Sequence, residues 1–425
     1  MTGISKKLTG WDDAAVEDSL ADPLRSLVHD FREYQLVPSC TPILVLLAVV
    51  AANHLHGDPL WLLLIGPVSG GKTEFINSLS ALPKVHLVST LTESALLSGS
   101  SRNDVIVGSS GGLLRAIGDF GIVLLKDFTT ILAMNRDERG KVLAAFREIY
   151  DGSWVRHLGV DGGKALPWSG KVGMIGACTD AIEDHHQVIA SMGERFMKYR
   201  LPDVDPEQQA VSSAETCYIS DCRTRQQHKV ATFFQSIDFA ADLGIQPTRI
   251  LSSLATFAAL ARSAVSRNAY SREIEYVSES EKPGRLAKSF DSLFRGLRVI
   301  GVGHDTAVAC VIETAMDSIP KVRRQVLEAV LLGFGNATIN DLQGMTCLPG
   351  STVRRAVEEL KAHGLLQDVK EGRTGRFSFN PEKAVEGEEV KTGKAERSIE
   401  FTELALRLMR GWRVNESPEC RKRDS

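Results

Sequence analysis

No apolar run in this chain exceeds about ten residues. The longest is ILVLLAVVAA, Ile43–Ala52, and a membrane span needs roughly twenty, so that run reads as a buried helix. An excess of positive charge is missing as well. Against 50 Lys and Arg stand 53 Asp and Glu, for a formal net charge of −3; this excludes a uniformly basic nucleic-acid coat but not a local basic face. The 7 cysteines are odd in number and scattered. Only Cys217 and Cys222 are close, and CYISDC has no second ligand pair to complete a zinc site. His185 and His186 are adjacent, which on a helix points them about 100° apart and makes a poor chelate. Reduced thiols in a cytoplasmic setting are the expectation. Met1–Gly10 is polar with no apolar segment behind it, so no secretory leader is expected.

Ordinary globular composition is what remains, with 43% hydrophobic and 24% charged residues, in a length that suits two or three domains. Residues 1–40 carry a fair 3.6-residue period and read as a helical segment. From 41 to 205, short apolar runs (WLLLI, KVHLVS, GIVLLKDF, KVGMIGAC) alternate with glycine-rich turns and helical stretches. That is the pattern of an α/β domain with a buried, largely parallel sheet. Residues 206–330 read as helical almost throughout. Residues 331–381 read as helix, tight turn, helix and β-hairpin, and 382–425 as a charged linker and tail, in which FTELALRLMRGW suits a short terminal helix.

WLLLIGPVSGGKTE supplies the chemistry. Gly66-Pro67-Val68-Ser69-Gly70-Gly71-Lys72-Thr73 fits G-x-x-x-x-G-K-[ST] without a mismatch. In such a loop backbone N–H groups converge on a phosphate, Lys72 reaches the β- and γ-phosphates, and the Thr73 hydroxyl takes Mg²⁺. Glu74 closes the candidate segment. An apolar strand before and TEFINSLSAL after give the strand–loop–helix context the motif requires. ATP and Mg²⁺ are therefore the expected ligands.

Such a site needs an acid at the end of a neighbouring strand. GIVLLKDF offers Asp127, but Lys126 stands where the first of two acids is usual. Either Asp127 holds the metal, with Phe128 where the water-activating Glu should be, or Lys126 has replaced the metal acid and Asp127 stands in for the Glu. Both readings leave one acid missing. Slow hydrolysis follows, or an acid supplied from elsewhere, such as Glu93 or Asp119.

With these motifs in place, residues 60–200 resemble the AAA+ ATPases, in particular the branch holding the minichromosome maintenance helicases, Mg-chelatase subunits and enhancer-binding activators. The resemblance rests on SSGGLLRAIGDFGIVLLKDFTTI, on GKVLAAFREIYDGSWVRHLGVDGGKALPWSGKVGMIGACTD and on SMGERFMKYRLP. It implies an α/β P-loop NTPase core with an all-α lid, assembled as a ring, a hexamer for preference. Thr179 would be the sensor-1 polar group, where Asn is more usual. Arg195 would be the finger reaching a neighbouring subunit's γ-phosphate, and Arg285 the sensor-2 arginine of the lid. A hairpin between Trp154 and Trp168, turning at Asp161-Gly162-Gly163, would project into the ring channel and touch nucleic acid through Lys164, with Arg156 and His157 lower down.

The C-terminal pattern resembles a winged helix-turn-helix. Thr338 caps one helix, CLPG makes the turn, and STVRRAVEELKAHG is the second helix, with Val353, Val357 and Leu360 at core spacing. Arg354 and Arg355 on that helix, and Arg373 and Arg376 in the wing, would contact DNA, or the unit would serve instead as a module that docks a protein. The expected function is an ATP-hydrolysing, DNA-directed ring protein. A nucleotide-gated DNA-binding regulator, or a scaffold with little hydrolysis, is the alternative that Lys126 favours.

Overall fold

A computed structural model describes residues 13–98, 112–157, 165–186, 189, 193–215, 219–240, 248–268, 270–277, 279–333, 336–368 and 399–410. In chain order the first strands are β1 (Trp61–Ile65), β2 (Val85–Val88), β3 (Phe120–Leu125), β4 (Ser153–His157), β5 (Ala165–Ser169), β6 (Lys171–Cys178) and β7 (Phe196–Arg200). Five of them form one sheet in the order β2-β3-β6-β1-β7, every pairing parallel. The two omitted, β4 and β5, make an antiparallel hairpin in which Trp154 faces Trp168, as expected.

The continuous apolar run of β1 follows from burial on both faces. Trp61, Leu63 and Ile65 belong to one core, Leu62 and Leu64 to the other. On the second face lies the helix Thr41–His54, buried from Thr41 to Asn53 as its composition requires. It packs on the helix Gly284–Val299 so closely that a Cβ on Gly296 would stand 2.2 Å from the carbonyl oxygen of Ala48. Only glycine permits that approach.

After β7 come helices Pro206–Glu215, Ile219–Gln235 and Thr248–Arg262, then Gly284–Val299, His304–Asp317 and Lys321–Leu332. The expectation of an all-α segment is corrected at one place. β8 (Val265–Arg267) and β9 (Ile274–Val277) form an antiparallel hairpin between the third and fourth of these helices. Ile274, Tyr276 and Val277 are β-branched or aromatic residues that favour a strand, and Asn268 turns the chain by accepting from the N–H groups of Tyr270 and Ser271.

Thr338 does cap its helix, Ile339–Thr346, in a reciprocal box with Asp341. The second helix runs Gly350–Ala362 and buries Val353, Val357 and Leu360. Beside them β10 (Asn336–Ala337), β11 (Leu366–Asp368) and β12 (Ile399–Phe401) form an antiparallel sheet in the order β10-β12-β11. β12 falls in the stretch expected to be linker and tail, and the helix Glu403–Arg410 that follows lies within FTELALRLMRGW, where a short terminal helix is expected. Ile399 and Phe401 are buried around Glu400, a short alternation that the charged residues before it conceal. Among the described residues no helix is long and apolar enough to cross a membrane.

Candidate functional site

Parallel sheets place ligands at the carboxyl ends of their strands, where the order of connections reverses. Here the reversal is at β1, flanked by β6 on one side and β7 on the other. The glycine-rich loop leaves β1 at that point, with Cys178 of β6 and Arg200 of β7 paired to Ile65.

The loop's shape follows from its residues. Ser69 and Gly71 both have positive φ, 61° and 79°, and the Gly70 N–H donates to the Pro67 carbonyl at 3.1 Å. A Cβ on Gly70 would stand 3.0 Å from that same oxygen. Gly71 opens the helix Lys72–Asn77. Lys72 curls back under the loop, its Nζ donating to the Gly66 carbonyl at 2.9 Å and to that of Pro67. Burial pulls the ammonium's pKa down, while Cys178, Asp127 and Asp180 raise it through space. Thr73 is exposed at the rim. The loop borders a cleft of about 410 Å³ whose other walls come from Tyr34–Leu36, from Leu201–Val204 and from the helices beginning at Pro206 and Ile219.

Around Lys72 the strand ends collect hydroxyls and carboxylates. Of the two acidic-strand positions, it is Asp127 whose carboxylate acts on Lys72; its Oδ1 also accepts the Thr129 N–H at 2.8 Å. Phe128 points the other way and is buried against Phe196, ring centroids 5.2 Å apart. The Thr179 N–H donates to the Thr129 hydroxyl at 3.4 Å. Burial pushes the Cys178 thiol up to about 11, so it stays protonated. Asp180 is held by Lys321 at 2.6 Å and by Arg200 at 3.2 Å. Of the spare acids, Glu93 pairs with Arg156 at 3.2 Å, and Asp119 precedes β3, at the sheet's opposite end.

Arg195 stands at that opposite end too, immediately before β7, whose first residue pairs with Trp61. At about 3.3 Å per residue the strand separates it from the loop end by roughly 16 Å. There Arg195 lies over the Tyr150 ring at 5.4 Å and pairs with Asp151 at 3.2 Å. Arg285 joins it, 6.0 Å from the same ring and donating to the Glu194 carbonyl at 3.4 Å. The structure thus groups Arg285 with Arg195 and not with the loop.

Sequence reasoning missed the cations that do reach the loop's end of the sheet. Lys321 and Arg200 have been placed above. Arg223, from the helix Ile219–Gln235, bonds to Glu74 at 2.7 Å (Nε to Oε2), and Gln209 donates to the Ser69 carbonyl at 2.7 Å. Lys321, Arg223 and Gln209 have these partners more than a hundred residues away, and no local pattern announces such a pair. Arg354 and Arg355 are exposed on their helix. Lys164, Arg373 and Arg376 lie outside the described residues.

No family model matches this chain, and no curated protein matches it. A solved structure described as the A form apo structure of the NrS-1 C-terminal region is similar at 10% identity and a TM-score of 0.25, covering 56% of this chain. The chain spans about half of that structure's length, 54%.

Proposed function

We propose that this chain binds ATP with Mg²⁺ on the loop Gly66–Thr73, hydrolyses it as a ring-forming P-loop ATPase of the AAA+ kind, and acts on DNA. One observation carries the reading. The glycine loop with its lysine leaves the central strand of a parallel sheet at the switch point, opens on a cleft, and has Asp127 beside it.

Thr73 and Asp127 offer the hard oxygen donors that Mg²⁺ requires, and the ion neutralises phosphate charge when bound. Lys72 is the cation for the terminal phosphates. The Thr179 hydroxyl and Asp127 orient water, and the buried Phe128 leaves no second acid to activate it. Arg195, too far from its own loop, suits a neighbouring subunit's phosphate. The DNA part rests on the resemblance of the C-terminal unit to winged helices and on exposed Arg354 and Arg355.

Steady-state ATP hydrolysis with and without single- and double-stranded DNA tests the proposal, with Lys72→Ala as blank. Turnover that rises several-fold with DNA and vanishes in the variant supports it. Tight ATP binding without turnover under any condition favours the second reading, a nucleotide-gated DNA-binding switch. Phe128 in the core is the observation on that side, since a switch tolerates a missing acid.

A further inference from the structure

In the wall of the same cleft two side-chain amides meet. Gln35, just after the helix Asp22–Tyr34, donates from Nε2 to Oε1 of Gln226 at 3.3 Å. That single bond leaves Gln35 Oε1 and Gln226 Nε2 buried and without a hydrogen-bond partner among the described residues. Gln226 is only 3% exposed, and both residues line the cleft. A buried amide left with unmet hydrogen-bonding capacity is costly, so it calls for a ligand. Turning both amides over does not change the outcome: one donor and one acceptor still remain side by side.

We infer that Gln35 and Gln226 read the base of the nucleotide, and that the base is adenine; the inference rests on the phosphate-loop reading of the same cleft. Adenine presents an exocyclic N–H donor next to a ring nitrogen acceptor, the complement of what the amide pair leaves free. Guanine presents one acceptor and two kinds of N–H donor along its pairing edge, and the second donor needs a free carboxylate. Neither of the cleft's two acids, Glu74 or Asp203, is bonded to the amide pair, and Glu74 is engaged by Arg223. The pair also joins two elements. Gln35 extends from the N-terminal segment and Gln226 from the helix that reaches over the loop, so a base seated between them ties both to one ligand.

The test is calorimetric titration of the full chain with MgATP, MgGTP and magnesium tripolyphosphate, for wild type, Gln226→Leu and Gln35→Leu. Circular dichroism establishes that each variant folds, and either variant alone suffices. Tripolyphosphate has no base and reads the loop alone. The expected result is at least tenfold preference for ATP over GTP in the wild type. Each leucine variant should lose about tenfold in ATP affinity while tripolyphosphate binding stays within twofold. Equal ATP and GTP affinities, or leucine variants that bind ATP as the wild type does, overturn the base reading and leave the loop reading standing. A wild type that binds neither ATP nor tripolyphosphate overturns both.

Discussion

At the scale of single residues, the most tightly enclosed of the described glycines is the one most exposed to substitution. A methyl on Gly296 meets a backbone carbonyl, which cannot rotate aside as a side chain would. Gly296→Ala is expected to cost about 1–3 kcal/mol in urea unfolding, whereas Gly303→Ala, with open space around it, should stay within about 0.5 kcal/mol. Equal effects would dismiss the steric account. His186 gives a pH signature. Burial, reinforced by Lys198 and Arg323 and opposed by Glu194 and Glu183, pulls its pKa from 6.5 down to about 4. The unfolded chain therefore binds the proton more readily than the folded one. The stability this histidine supplies is complete above pH 6.5 and is lost as pH falls towards 4, by about 2 kcal/mol at pH 5. His186→Phe should flatten the pH dependence of the urea midpoint across that window. An identical slope in both proteins would assign the dependence to other groups.

At the scale of elements, the last described segment is part of a fold and not a tail. Ile399, Phe401, Ala405, Leu408 and Met409 are all buried, and together contribute on the order of 5 kcal/mol or more. A chain ending at Pro381 should therefore melt at a lower temperature and expose the helix Gly350–Ala362 to protease. A dispensable tail would leave both measurements unchanged. Elements with strong periodicity were legible in the sequence: the buried helix after Thr41, the strands β1, β3 and β6, the Trp154–Trp168 hairpin, the capped helix after Thr338. The three-residue strands β8 and β12 were not, because so short an alternation inside charged sequence carries little signal against its surroundings. The glycine loop was legible because its contacts are local. The Gln35–Gln226 pair was not, since 191 residues separate its members and only the fold brings them together.

At the scale of the whole molecule, the phosphate loop and Arg195 occupy opposite ends of one sheet, which under the proposed function puts the arginine to use between copies. Arg195→Ala is expected to keep ATP affinity within about twofold yet lose turnover at least tenfold. Mixing it with Lys72→Ala chains should restore part of the activity, because some interfaces then hold an intact loop facing an intact arginine. No recovery at any ratio would place Arg195 in the structure of its own subunit only. A different consequence follows from the order β10-β12-β11. Of these three strands the one made last by the ribosome is the middle one, so β10 and β11 lack this partner until β12 has been made. A chain that has passed Asp368 but not reached Ile399 therefore carries two strand edges without it, the kind of surface that recruits chaperones and invites aggregation.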